Sequence, residues 1–187
     1  MTLTEMKKKA LGLIEELNPL SDLLTDDPDI STKINDVTNQ IMFELARFKK
    51  IPKYVEIPVS AGDVLDFGDI EKACGYEIYQ IDLVCGVRYV PKAEGTVLKF
   101  LEEGTAEIEV FVYPERITDT TKGKAYEFEL SNDVLEIMPY GIAADLLKSD
   151  VSTQYGAVYA QRYEDMIQRL DTRYQTESIT ILGGWAV

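Results

Sequence analysis

The stretch AEIEVFVY, residues 106–113, is the clearest strand pattern in the chain, because its side chains alternate with the period of a β-strand. Ile108, Val110 and Val112 fall on one face of this predicted strand. The other face takes Glu107, Glu109, Phe111 and Tyr113. A strand with this pattern belongs to a sheet that is apolar on one side and acidic and hydrated on the other.

The same period of two recurs on both sides of that stretch. The strand-like segments are YVEIPV (54–59), YEIYQIDL (76–83), VRYV (87–90), TVLKFL (96–101) and AYEFEL (125–130). Residues 101–107, LEEGTAE, predict a hairpin turn in which Gly104 takes a positive φ. We expect a short helix or a loop over residues 62–74. Residues 54–130 are therefore predicted to form an antiparallel β subdomain.

Before this region the apolar spacing is helical. It predicts one helix from Thr4 to Leu17, capped by Thr2 or Thr4, and a second helix capped by Ser31 or Thr32. The apolar stripe of the second helix is Ile34, Val37, Ile41, Leu45 and Phe48. The acidic TDDPD segment between the two helices is interpreted as a solvated turn, because it lacks the ligand spacing of a calcium loop.

After residue 131 the helical period returns. We expect Pro139 to break or kink the first of these helices, and a long helix to run to about Tyr174. The stripe of that helix is Tyr155, Tyr159, Tyr163, Met166, Ile167, Leu170 and Tyr174. Such a stripe is either core, with hydroxyl groups reaching the rim, or a binding and oligomerisation surface.

The predicted fold class is α+β. Residues 1–53 and 131–174 form a bundle of about four helices, and residues 54–130 form one inserted β subdomain. The predicted bundle core is Ile34, Val37, Ile41, Leu45, Leu146, Met166, Ile167 and Leu170.

Residues 175–187 are predicted to leave the bundle as an extended arm. The chain closes with RYQTESITILGGWAV, residues 173–187, which contains its only tryptophan. Ile179, Ile181 and Leu182 suit strand addition or groove binding, and Trp185 suits an aromatic anchor. Either the arm docks on a partner protein, or it folds back on its own bundle.

Composition limits the chemistry that this chain can perform. With 0 histidines it has neither a Ser-His nor a Cys-His pair, and phosphate-binding glycine motifs are missing. We therefore expect no enzymatic activity, no cofactor and no metal site. Cys74 and Cys85 are interpreted as reduced thiols, and no apolar run approaches the roughly 20 residues that span a membrane.

The net charge of −14 is concentrated in the middle of the chain. Residues 54–137 hold 7 Lys and Arg against 18 Asp and Glu. A protein that holds DNA tightly needs cations facing the phosphates, so tight DNA binding is not expected.

Two stretches resemble the head–tail adaptor (head-completion or connector) proteins of tailed bacteriophages. The first, EIEVFVYPERITDTTKGKAYEFELSNDVLEIMPYGIAADLLKSD (107–150), has a strand, a Y-P-E-x-I turn and a helix with P-Y-x-x-A-x-x-L-L. The second, QYGAVYAQRYEDMIQRL (154–170), is a helix of the Y-x-x-x-Y-E-x-x-I-x-x-L kind.

The resemblance implies a structural protein of the virion neck, assembled in the host cytoplasm. Family members form rings, usually of twelve copies, that lie below the portal, extend the DNA channel and dock the tail or a stopper. It also implies that the arm of this chain, with Ile179, Ile181, Leu182 and Trp185, reaches the portal protein, and that duplex DNA passes without tight binding. The alternatives are another ring-forming virion protein, such as a stopper or tail-completion protein, and a small ligand-binding module that uses the β subdomain.

Overall fold

The computed structural model describes residues 1–21, 24–148 and 154–170. These residues contain five α-helices and six β-strands. The helices are α1 (Leu3–Leu13), α2 (Pro28–Phe48), α3 (Phe67–Cys74), α4 (Asn132–Leu146) and α5 (Tyr155–Arg169). The strands are β1 (Pro52–Val59), β2 (Val64–Asp66), β3 (Ile78–Cys85), β4 (Tyr89–Lys92), β5 (Val97–Phe100) and β6 (Gly104–Val112).

The strands are divided between two antiparallel sheets of three strands, with the orders β1-β6-β3 and β2-β5-β4. The predicted fold, about four helices with one inserted antiparallel subdomain, is therefore wrong in its elements. The fifth helix, α3, lies inside the β region, and that region forms two sheets. Strand pairing joins residues that are distant in the sequence, so the alternation of single segments could not reveal the division.

The predicted hairpin over residues 101–107 is also wrong. β5 pairs with β2 and β4, whereas β6 pairs with β1 and β3, so the turn carries the chain from one sheet to the other. Glycine is required at position 104 for a steric reason, and not because the backbone takes a positive φ there. A Cβ atom at Gly104 would lie 2.6 Å from Cγ1 of Val87, so only glycine fits this contact.

The helical part is built around α4, against which α1, α2 and α5 all pack. Four members of the predicted core are buried: Ile34, Ile41, Leu45 and Leu146. The other four lie at its edge as partly buried residues: Val37, Met166, Ile167 and Leu170. The predicted core is therefore correct for its buried members on α2 and α4, whereas Phe48, the last member of the predicted α2 stripe, is exposed.

The ends of the helices differ from the prediction in detail. α1 is capped by Thr2, as expected, but it ends at Leu13. α2 begins at Pro28 and is capped by Asp27, whose carboxylate accepts the amide N–H of Asp29 at 2.8 Å. The predicted caps Ser31 and Thr32 lie inside the helix.

Pro139 lies inside α4 and does not end it. Tyr174, the predicted end of the last helix, lies outside the described residues.

Residues 125–130 alternate as predicted but do not form a strand. They make one isolated bridge, between Thr2 and Glu127, and their apolar side chains enter the helical core. These side chains are Tyr126, Phe128 and Leu130. The alternation therefore correctly indicated that one face of this segment is buried. That face packs against helices and not against a second sheet.

The two sheets and α3 enclose a second core, whose fully buried members include Ile70, Phe100 and Val110. Ile51, at the entry to β1, contacts both cores. The other face of the β1-β6-β3 sheet is open around Glu107 and Glu109, whereas Phe111 and Tyr113 on the same side are buried, Tyr113 in the helical core.

Candidate interaction surfaces

Helix α5 is held against the helical part by tyrosine side chains on one of its faces. The Tyr163 ring is buried against Gly141 of α4, where a Cβ atom would lie 2.7 Å from its Cε2 atom. The hydroxyl of Tyr159 donates a hydrogen bond of 2.5 Å to the carbonyl of Leu13, at the end of α1. Burial raises the pKa of Tyr163, so this side chain is a neutral, structural one.

The structure divides the predicted tyrosine stripe into two parts. Tyr163 is core, and Tyr159, Met166 and Leu170 are partly buried, so these four side chains hold the helix in place. Tyr155, at the start of the helix, is 65% exposed. Among the described residues of the stripe, this end is the most exposed.

The side of α5 that carries Val158 is open, and both apolar and charged side chains line it. Val158 is 57% exposed, and beside it a shallow groove runs along the helix. The described residues lining this groove are Gln154, Ala157, Val158, Gln161, Arg162, Asp165, Met166 and Arg169. Val158 was missed by sequence reasoning, because a single valine among alanine, glutamine and arginine does not mark a second stripe.

The outer face of the β1-β6-β3 sheet is the second open surface. Glu109 of β6 lies between Tyr54 of β1 and Leu83 of β3, its cross-strand partners. Tyr54 is 75% exposed and Leu83 is 51% exposed, which places two large apolar groups beside this carboxylate. The Tyr54 hydroxyl donates to Oε1 of Glu109 at 2.8 Å, and this hydrogen bond raises the pKa of Tyr54.

The next row of the same face is more acidic. Glu107 lies between Glu56 of β1 and Cys85 of β3. Two like charges directly opposite each other on a sheet are destabilising. Glu56 and Glu107 form no salt bridge with any described residue. The acidic face that was predicted from residues 106–113 is therefore present, with no neutralising cation from the described part of the same chain.

Other carboxylates of the chain stabilise the fold through contacts between its parts. Lys53 on β1 lies 3.2 Å from Glu129, and the hydroxyl of Tyr76 hydrogen-bonds to the same carboxylate at 3.1 Å. This contact ties the sheet to the segment that leads into α4. In the described ranges, no three His, Cys, Asp or Glu side chains are placed to hold a metal ion. Cys74 and Cys85 are free cysteines, and Cys85 is exposed.

The other predicted site residues, Ile179, Ile181, Leu182 and Trp185, lie outside the described residues. None of the helices in the described ranges has the length and apolar character required to cross a membrane. No protein-family model matches this chain, and a search of curated proteins gives no match.

Proposed function

We propose that this chain is a structural ring subunit, a head–tail adaptor of a tailed bacteriophage. About twelve copies form a ring below the portal, where they extend the DNA channel and provide a docking surface for the tail or a stopper. The adaptor role comes from the resemblance of residues 107–150 and 154–170 to that family. The observation that carries the ring itself is the open face of α5.

That face combines the exposed apolar side chains of Tyr155 and Val158 with the charged side chains of Arg162, Asp165 and Arg169. Tyr155 and Val158 lie one helical turn apart, and both are more than half exposed. Removing apolar surface from water stabilises an assembly by about 25 cal/mol per Å². In a cyclic oligomer this gain recurs at every interface, and each interface joins two different patches of the same chain.

The charge of the chain suits passage of DNA better than its retention. A net charge of −14 per subunit gives a ring a negative field that repels phosphates. We propose no enzymatic role, since the chain has 0 histidines and no phosphate-binding glycine motif. The proposed location is the neck of the virion.

Residues 175–187 are proposed to bind the portal. This part of the proposal rests on the sequence alone, where Ile179, Ile181 and Trp185 form an apolar segment. Several arms on one ring bind together, so a modest affinity for each arm gives lasting attachment.

The experiment is negative-stain electron microscopy of the purified full chain, alone and mixed with the portal rings of the same phage. We expect rings that stack on the portal. A chain deleted for residues 175–187 should keep the thermal melting of the full chain and should no longer stack.

Two other outcomes would change the proposal. If the rings do not bind bare portals but bind portals that already carry an adaptor, the chain is a stopper or tail-completion protein. Single particles of one subunit, both alone and with portal, would contradict the ring.

A further inference from the structure

We propose that the open face of α5 in one subunit packs against the outer face of the β1-β6-β3 sheet in the next subunit. This inference rests on the proposed ring and names the two surfaces that close it. The α5 face consists of Tyr155, Val158, Arg162 and Arg169, and the sheet face of Tyr54, Leu83, Glu56, Glu107 and Glu109.

The apolar end of the α5 face, Tyr155 and Val158, and the sheet face lie toward opposite ends of α4. Gly156, at the start of α5, contacts Leu147, at the end of α4. The sheet adjoins the other end of α4, because Lys49, which precedes β1, pairs with Asp133 at 3.1 Å. The 15 residues of α4 lie between them, about 22 Å of helix. One subunit therefore presents the surfaces in different places, as a head-to-tail contact requires.

The apolar groups of the two surfaces match in number and size. Each surface presents one tyrosine and one aliphatic side chain, and all four are more than half exposed: Tyr155, Val158, Tyr54 and Leu83. On both surfaces the pair is flanked by charged groups. This is the arrangement of an apolar centre with a polar rim that protein interfaces use.

The charges are complementary. Arg162 and Arg169 lie on the groove side of α5, and the guanidinium of Arg162 stacks over the Tyr140 ring with its Cζ atom 4.7 Å from the ring centroid. The carboxylate on that side, Asp165, accepts a hydrogen bond from Gln161 at 2.9 Å. The sheet face carries the opposed carboxylates Glu56 and Glu107.

A cation from the next subunit would relieve the repulsion between these two carboxylates. Association through this contact should therefore weaken as the salt concentration rises.

The native thiol of Cys85 provides a direct test, because it is exposed and lies beside Glu107 on the sheet face. The test chain carries Cys74→Ser and Val158→Cys, so that it has one thiol on each surface. The two control chains keep one thiol each: Cys74→Ser alone, and Cys74→Ser with Cys85→Ser and Val158→Cys. All three are oxidised with copper phenanthroline and separated on a non-reducing gel.

We expect the test chain to give a ladder of dimers, trimers and larger species, while each control stops at traces of dimer. A mixture of the two controls should give the mixed dimer at least roughly tenfold faster than either control dimerises alone, since a bound pair raises the effective thiol concentration. Equal rates for mixed and like pairs would overturn the proposed contact. If rings are present in micrographs while the rates are equal, the ring stands and this contact is wrong. If rings are also missing, the proposed function fails as well.

Discussion

Asn39 of α2 and Ile117, which lie 78 residues apart, exchange two hydrogen bonds as a pair of backbone groups in a sheet would. The Asn39 side chain donates to the Ile117 carbonyl at 2.8 Å and accepts the Ile117 amide N–H at 2.8 Å. Both residues are buried. One side chain thus fixes the segment that follows β6 to the helical part, where no strand pairing could do so.

Replacing Asn39 with leucine should destabilise the fold by about 2–5 kcal/mol, because two buried backbone groups of Ile117 lose their partners. Urea unfolding followed by circular dichroism measures this change. Gln40→Ala, at the next, exposed position of α2, is the matched control and should stay within about 0.5 kcal/mol of the parent. Equal stability of the two variants would show that the Asn39 contact is not needed.

Gly141→Ala should weaken the packing of α5 against α4. The new Cβ atom would lie 2.7 Å from Cε2 of Tyr163 and 3.1 Å from Cδ1 of Ile41, and this crowding should exceed the gain in helix propensity of about 1 kcal/mol. Gly12→Ala in α1 is the control, since a Cβ there meets nothing within 4 Å. We expect a lower melting temperature for Gly141→Ala and an unchanged or higher one for Gly12→Ala. Stabilisation by both would contradict the described packing of Tyr163.

The fold should lose stability in alkali. Burial raises the pKa of Tyr79 to about 12 and that of Tyr126 to about 12, whereas an unfolded tyrosine ionises near pH 10. Since the folded chain binds these protons more tightly, the stabilisation is complete below about pH 10 and falls as the pH rises toward 12.

The measurement is the urea midpoint at pH 8 and pH 11. Tyr79→Phe should show a smaller alkaline loss, at the cost of the hydrogen bond of 2.9 Å to the Ala46 carbonyl. Tyr155→Phe, at an exposed position, should keep the parent's full loss. A pH-independent midpoint in the parent chain would argue against burial of these hydroxyl groups.

The purified chain should not retain duplex DNA at sub-micromolar concentration. Low salt is the fair condition for the gel-shift assay, because electrostatic binding is strongest there. The expected result follows from the net charge of −14. Retention under these conditions would contradict the proposal of a channel through which DNA slides.

Helix stripes and strand alternation could be predicted because they depend on neighbours in the sequence. Ile41 and Leu45 recur at helical spacing and are buried, and the apolar side of residues 106–112 faces a core. The division into two sheets could not be predicted, since it depends on which distant strand each segment meets. Pro139 lies inside α4 and does not end it, because the packing of α4 between α1, α2 and α5 offsets one lost hydrogen bond.

The candidate surfaces could be predicted from the sequence only in part. Tyr155 belongs to a tyrosine stripe, and the acidic side of β6 follows from its alternation. The exposure of Tyr54, Leu83 and Val158 depends on which faces the fold leaves uncovered, and single apolar residues carry no such signal.

Sedimentation velocity of the full chain over a range of concentrations, beside two single variants, is the decisive test of the proposed ring. Val158→Asp places a charge in the open face of α5, and Val64→Asp places one at an equally open position, 52% exposed, in the other sheet. We predict that the parent and Val64→Asp form a closed species of about twelve times 21.1 kDa, and that Val158→Asp remains a monomer with unchanged melting. A parent chain that stays monomeric at every concentration would rule out the ring. A Val158→Asp variant that assembles as the parent does would rule out the open face of α5 as its interface.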